Sequence, residues 1–331
     1  MDSRTFVAHS IESAMRIITL EEHIALPEFA HEIQQWPLPQ QAVEKLADIS
    51  DIRLKSMDDN GIDMQVLSVV GRGAESLAPQ EALKFAVRYN DILAARIAAH
   101  PTRFKAFAHL PMSSPEAAAN ELERAKEEHH FCGALINGLT NGKFLDLPEF
   151  RPLLQKAEQL QMPLYLHPGM PPETVAQAYY NDLPGSLGVM LSCGGWGWHA
   201  ETALQVLRLI MTGTLDRYPR LKIIIGHMGE MIPMMMSRLD EKFNVTNTGY
   251  HQRTVSQTLR DQVHITTSGI FTLPPLMAAL GTFGIDNVMF SVDYPFSTNE
   301  AGKQLLENIP LPPEEVAKIA SGNAERLLGL S

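Results

Sequence analysis

Five imidazole and carboxylate side chains stand in short motifs where they could hold a cation or move a proton. They are Glu21 and His23 in TLEEHIAL, His167 in YLHPG, His227 in IIIGHMGE and Asp293 in FSVDYPF. In an extended segment the side chains at i and i+2 point the same way, so Glu21 and His23 can bind one ion. With His167 and Asp293 they make a two-imidazole, two-carboxylate set. Such donors suit Zn²⁺, Mn²⁺ or Fe²⁺ better than Ca²⁺, which prefers oxygen alone. The expected cofactor is one divalent ion, Zn²⁺ or Mn²⁺, with Mg²⁺ also open. Two carboxylates leave a site with a 2+ ion formally neutral, so an anionic substrate group can still approach. The plainer alternative is that each residue is separately a polar group at a strand end, with Asp293 opening the turn before Tyr294-Pro295.

Residues more than a hundred positions apart meet only if the fold gathers strand ends. Eight β-branched runs serve as candidate strands: Ile17–Leu20, Met64–Val70, Phe104–Leu110, Gly133–Ile136, Leu164–His167, Leu221–Ile225, Val263–Thr267 and Val288–Val292. Between them lie amphipathic stretches such as Pro79–Ala99, Pro115–Glu128 and Glu149–Leu160. Ser114 followed by Pro115 reads as an N-cap with proline at the first helical position. Strict alternation repeated eight times predicts parallel strands closed into a (β/α)₈ TIM barrel. All five candidates then fall at or just after C-terminal strand ends, on one face of that barrel. The glycine- and proline-rich stretch Pro168–Trp198, after the fifth strand, is expected as a lid loop or pocket wall. Pro313–Leu328 is expected to close the barrel as C-terminal helix. Residues 1–15 are expected to form a tail, or an arm on a neighbouring subunit, with the barrel domain over 16–331.

Composition narrows the partners. The 331 residues are 45% hydrophobic and 20% charged, with a formal net charge of −11 and no basic cluster in the sequence. Nucleic acid and anionic membrane surfaces would be repelled by that field. No apolar run approaches the ~20 residues that span a bilayer. Cys132 and Cys193 are distant in sequence, so no disulfide framework is expected, and the absence of a secretory pattern points to the cytoplasm. No glycine-rich phosphate loop follows the first strand.

Longer motifs add a resemblance. ITLEEHIALPEF, MDDNGID, YLHPG, WGWHAETALQVLRLIMTG, YPRLKIIIGHMGE, MFSVDYPF and GNAERLLGL together resemble the amidohydrolase superfamily. Within it they look like the branch of metal-dependent, non-oxidative decarboxylases of dihydroxybenzoate, carboxyvanillate and aminocarboxymuconate-semialdehyde type. The first motif, Glu21-x-His23, departs from the HxH of the wider superfamily. The resemblance implies that His227 lies against the substrate, oriented by Glu230. It implies that Arg238 reaches an adjacent subunit's site in a homodimer or homotetramer, and that Trp36 packs on a substrate ring; of the other aromatics near the mouth, Phe296 is the second candidate for that contact. The activity implied is loss of CO₂ from a hydroxylated aromatic carboxylic acid. The metal would chelate the carboxylate and ortho-hydroxyl while Asp293 protonates the ipso carbon. A hydrolase of a small ester, lactone or amide shares every ligand, and a non-catalytic metal-stabilised binding protein is the third reading. Arg53 is expected as a surface ion-pair residue, and the methionines from Met231 to Met236 as core or interface.

Overall fold

The strands expected from the sequence run in parallel around a barrel in the computed structural model, which describes residues 15–29, 39–71 and 73–330. Trp36 and all of the expected arm except Met15 lie outside the described residues. The strands are β1 (Ile18–Ile24), β2 (Met64–Val69), β3 (Phe104–Ala106), β4 (Ala134–Asn137), β5 (Leu164–His167), β6 (Ile223–Ile225), β7 (Val263–Thr266) and β8 (Val288–Met289). β1 to β3 pair in order, and so do β4 to β8. Parallel bridges Ala108 to Ala134 and Glu22 to Tyr294 join the two runs at both seams. The second seam is secured by the His23 amide donating to Tyr294 O at 2.8 Å.

A helix follows each strand. These are α1 (Asp51–Asn60), α2 (Pro79–Ile97), α3 (Pro115–His129), α4 (Arg151–Leu160), α5 (Gly197–Met211), α6 (Val255–Gln262), α7 (Leu273–Phe283) and α8 (Asn299–Glu307). Ser114 does precede α3, but its hydroxyl caps no helix amide; Pro115, which has no N–H to satisfy, opens the helix instead. The stretch after β5 is less irregular than expected, because Glu173–Tyr179 and Leu187–Met190 are helical within it. The closing segment turns helically over Pro313–Ala317, widens across Lys318–Gly322 and resumes at Asn323–Leu328.

The core has two parts, as period-2 strands buried on both faces require. Ile18, Leu20, Met64, Val66, Phe107, Leu135, Tyr165, Ile224 and Met289 fill the barrel interior, with Ala324 and Leu328 plugging its base. Ile24, Leu67, Val69, Ile136, Leu166, Ile223, Ile225 and Val288 face outward onto the helices.

β1 carries the irregularity that matters. Its register against β2 slips between Thr19 and Glu22. Ile18 and Leu20 point inward, and strict alternation would send Glu21 and His23 outward. The extra residue of the bulge reverses that phase above Leu20, so Glu21 and His23 face the barrel mouth while Ile24 joins the outer core. Ser291 Oγ, 3.1 Å from the Leu20 amide and 2.6 Å from that of Glu21, accepts both bulge amides. The sequence reading ended the strand at Leu20; the strand continues through the motif.

Arg53 also corrects the sequence reading. It is fully buried, donating to His23 O at 2.7 Å, Gln65 Oε1 at 3.1 Å and Asp48 O at 3.0 Å. Its guanidinium lies 4.6 Å from the Tyr294 ring centre. α1 turns this residue inward, where a planar fork satisfies several carbonyls at once.

Candidate active site

At the barrel mouth four donor groups converge. Glu21 Oε1 lies 3.3 Å from His167 Nε2, and His23 Nε2 lies 3.2 Å from Asp293 Oδ1. Donor atoms of Glu21, His23 and His167 fall within 4.8 Å of one another. His227 Nε2 stands 3.8 Å from both Glu21 Oε1 and Asp293 Oδ2, on the far side of the group. Phe296 reaches the rim, its ring centre 5.8 Å from that of His23. All of the site positions named from the sequence within the described residues therefore meet here, except Arg238. That guanidinium is largely exposed on Met236–Lys242, 3.7 Å from Glu241 Oε1.

Supporting contacts aim each donor. Glu21 Oε2 accepts from the hydroxyls of Tyr165, Ser268 and Thr266. Oε1 is buried and finds no hydrogen-bond partner. His167 Nδ1–H donates to Pro168 O at 2.9 Å, which leaves the Nε2 lone pair facing Glu21. A buried carboxylate oxygen without a donor, next to an imidazole lone pair, is a costly arrangement that a cation would relieve. The donor set thus fits a divalent ion. Electrostatics agrees. Burial raises the Glu21 carboxyl above its ordinary range. Burial and the neighbouring His23 hold His167 well below the usual imidazole value, in the neutral form that a ligand needs.

His227 sits on an unusual backbone. Residues His227, Met228, Gly229, Glu230 and Met231 all have φ between 48° and 86°. Consecutive left-handed residues are strained for L side chains and persist where the surroundings fix them. Gly226 enters this turn against Glu21 Oε2 and Ser268 Oγ, where a Cβ would collide with both. The turn folds Glu230 back beneath the imidazole. His227 Nδ1–H donates to Glu230 Oε1 at 2.8 Å, and His199 Nδ1–H donates to Glu230 Oε2 at 2.6 Å. Although burial opposes it, His227 and His199 hold the Glu230 carboxyl below its ordinary range. Burial likewise opposes charge on His227, but Glu21, Glu230 and Asp293 hold its pKa well above the usual value. His199, His227 and Glu230 also lie close enough to suggest a second metal group. Both oxygens of Glu230 are already taken by imidazole N–H groups, so we read that trio as a hydrogen-bonded relay.

Asp293 has φ 73°, so its carboxylate turns back over the mouth. Glu22, absent from the sequence-derived site, is what fixes it. Its carboxylate accepts from Ser291 Oγ, the Val292 amide and the Tyr294 amide, each at 3.0 Å. Those amides flank Asp293 on either side. Burial pushes the Glu22 carboxyl up to about 7, against the pull of these donors and of Arg53. The three donors favour the ionised form, which can accept them all. In a Glu22→Gln protein an NH₂ group must face one of these donors. The expected cost is about 1–3 kcal/mol of stability, as for an unsatisfied buried group. A fall in kcat should accompany the fall in Tm; wild-type values of both would remove Glu22 from this role. The other groups that the sequence did not disclose are Tyr165, Ser268 and His199, of which Tyr165 stood in YLHPG and His199 in WGWH without being singled out.

The match to a family model described as amidohydrolase covers residues 23–330. The decarboxylase orsB of Emericella nidulans is 38% identical over 94% of this chain and 96% of its own length. A crystal structure of 2,6-dihydroxybenzoate decarboxylase complexed with 2,6-dihydroxybenzoate is 35% identical, with a TM-score of 0.88 over 96% of this chain and 99% of that one. A dihydroxybenzoic acid decarboxylase from Polaromonas, solved with bound manganese and the inhibitor 2-nitroresorcinol, is 35% identical, with a TM-score of 0.86 over 95% of this chain and 97% of that one. Among the described residues no helix is long and apolar enough to cross a membrane.

Proposed function

The chain belongs to the amidohydrolase family, and from that premise we propose that it is a metal-dependent decarboxylase of a hydroxylated aromatic carboxylic acid with a dihydroxybenzoate-like ring. The observation that carries the reading is the unpartnered Glu21 Oε1 beside His167, with His23 and Asp293 paired across the same mouth. Glu21, His23, His167 and Asp293 would hold the ion. Manganese is the favoured candidate, because two of the four donors are carboxylates and the Polaromonas relative contains it. When bound, the ion supplies a Lewis acid and template for the substrate's carboxylate and ortho-hydroxyl.

The chain's own residues handle the proton. An aryl anion is too basic to form, so the ipso carbon must be protonated before CO₂ departs. We assign this step to Asp293. Burial opposes its ionisation, yet His227 and His23 hold its carboxyl below the ordinary range, so in the resting site it is a carboxylate. Its proton therefore comes from the substrate. The ortho-hydroxyl gives its proton to Asp293, and Asp293 delivers it to the ring carbon. The C–C electrons then return to the ring as CO₂ leaves, and the phenolate product takes a proton from solvent. His227, fixed by Glu230, donates from Nε2 to a substrate oxygen. Phe296 covers the ring from the rim.

Among the described residues, no lysine or arginine belongs to the group gathered at this mouth. We assign the binding of the substrate carboxylate to Arg238 of a second copy in a homodimer or larger assembly. Its surroundings suit an interface, since Met234 is 79% and Met235 51% exposed beside it. Mixing an inactive Arg238→Ala protein with an inactive Asp293→Asn protein should restore activity, because a hybrid dimer contains one intact site. No recovery from subunits shown to exchange would exclude the assignment.

The proposal is tested by following the ultraviolet band of 2,6- and 2,3-dihydroxybenzoate with manganese-loaded protein. Conversion to the corresponding phenol with release of CO₂ is expected. Stable spectra across a panel of hydroxybenzoates, with turnover of a lactone, would replace decarboxylation by hydrolysis.

A further inference from the structure

At the opposite end of the barrel, where the strands begin, lies a hollow of about 830 Å³. Lys126, Arg220, Lys222, Arg260 and Arg326 line it together with His264. Five cations in one concavity are unexpected in a chain of net charge −11. Their hydrogen bonds do not neutralise them. Lys126 donates to Leu160 O, Lys222 to Asp261 O, Arg260 to Thr282 O and Arg326 to Asp286 O, at 2.5–3.0 Å. A carbonyl satisfies an N–H group while leaving its charge in place. Of the carboxylates nearby, Asp261 also lines the hollow but is bound by Arg253 at 2.9 Å, Asp286 is bound by Lys318 at 2.9 Å, and Glu158 accepts from the Arg220 amide at 2.9 Å, so five cations face one lining carboxylate.

His264 is a second, independent observation. It starts the inward face of β7 at 6% exposure, and its Nδ1 finds no hydrogen-bond partner. Burial, with Lys222 and Arg326 adding to it, pushes the imidazole down to about 3, so it is neutral and offers one N–H. Burial also lowers Lys222, which an incoming negative charge would reverse.

We propose that this basal hollow binds a small multivalent oxyanion, on the face remote from the reaction. Guanidinium forks match phosphate and carboxylate oxygens in pairs, and the concavity has the size of a small-molecule site. The surrounding negative field disfavours a long polyanion or a membrane, whereas a small ion meets chiefly the local cations.

The test is calorimetric titration of inorganic phosphate, and separately of tricarballylate, into the metal-loaded full-length protein. One saturable site per chain is expected for at least one anion, and the tighter of the two identifies the oxyanion type. Arg220→Ala together with Arg326→Ala should weaken binding at least tenfold; both side chains are exposed, and Tm without anion checks that the fold is kept. The single Arg220→Ala protein serves if the double variant is unstable. Asp293→Asn should leave the affinity unchanged. Absence of saturable binding by both anions overturns the proposal. So does binding that survives the arginine substitutions but vanishes when the metal is removed, since that anion sits at the mouth.

Discussion

An Asp293→Asn enzyme is expected to fold normally and to lose roughly 10²–10⁴-fold in kcat, the range for removing a positioned general acid. The amide is isosteric and keeps an oxygen toward His23, whose Nε2 is 3.2 Å from Oδ1 in the native site. It cannot, however, accept the phenolic proton or return it to carbon. The carboxylate also belongs to the donor set, so the rate must be compared at measured, equal metal occupancy. A large loss at full occupancy, with little change in KM, assigns the deficit to proton transfer. In D₂O the wild-type product should carry deuterium at the ipso carbon. Wild-type turnover by the amide variant would exclude Asp293 as the acid.

Why could Asp293 be found in the sequence, while Glu22 beside the equally visible Glu21 was passed over? The strand-end rule places a residue on the mouth from chain order alone, and eight alternating elements suffice to apply it. His167 and Asp293 were legible on that ground. Glu21 and His23 were legible as neighbours of a strand, but not the reason they face inward. That reason is the bulge above Leu20, held by Ser291, which lies just beyond β8 and some 270 residues away. Without it the alternation of Ile18 and Leu20 would put Glu22 in the mouth. A one-residue slip exchanges every side chain between faces, and nothing local to TLEEHI announces it. Arg53 failed for the same kind of reason. Its neighbours are polar, so its helix read as solvated, but the partners that bury it come from β1, β2 and the turn after β8.

The left-handed turn at His227 shows a further limit of linear reading. The residues GHMGE suggest a helix start with an acid in its first turn. The structure instead spends backbone strain to hold His227 Nε2 toward Asp293 and Glu21 while Glu230 grips Nδ1 from below. That geometry sets the tautomer, and His199 on α5 completes the grip. Strain of this kind is kept only where several contacts over-determine it. Here these include the hydrogen bonds to Glu230 and the Ser268 hydroxyl, which accepts from the His227 amide at 3.1 Å.

Stripping the metal with a chelator should lower stability, and the loss should grow as pH rises from about 6.5. The sign follows from the groups left facing one another. Glu21 has a folded pKa raised by burial, so its contribution is present below its unfolded value and is lost as pH climbs through the folded one. Despite opposing burial, His227 is raised by Glu21, Glu230 and Asp293, and His23 by Asp293 and Glu21. Their contributions are complete below the unfolded imidazole value near 6.5 and are lost above it as each deprotonates. His167 and Asp293 are shifted the other way, but Asp293 has titrated well below that pH, and folded His167 is already neutral, so only the tail of its unfolded titration, over by about pH 7.5, opposes the trend. Glu21, His23 and His227 therefore destabilise the apo barrel with rising pH across this window. Metal binding runs opposite, because each ligand must shed its proton first. At a thousandfold excess over Kd the ion adds about 4 kcal/mol. The gap in Tm between loaded and stripped protein should thus widen between pH 6.5 and 9. A gap that is constant or narrows over that range would mean that these side chains do not share one cation.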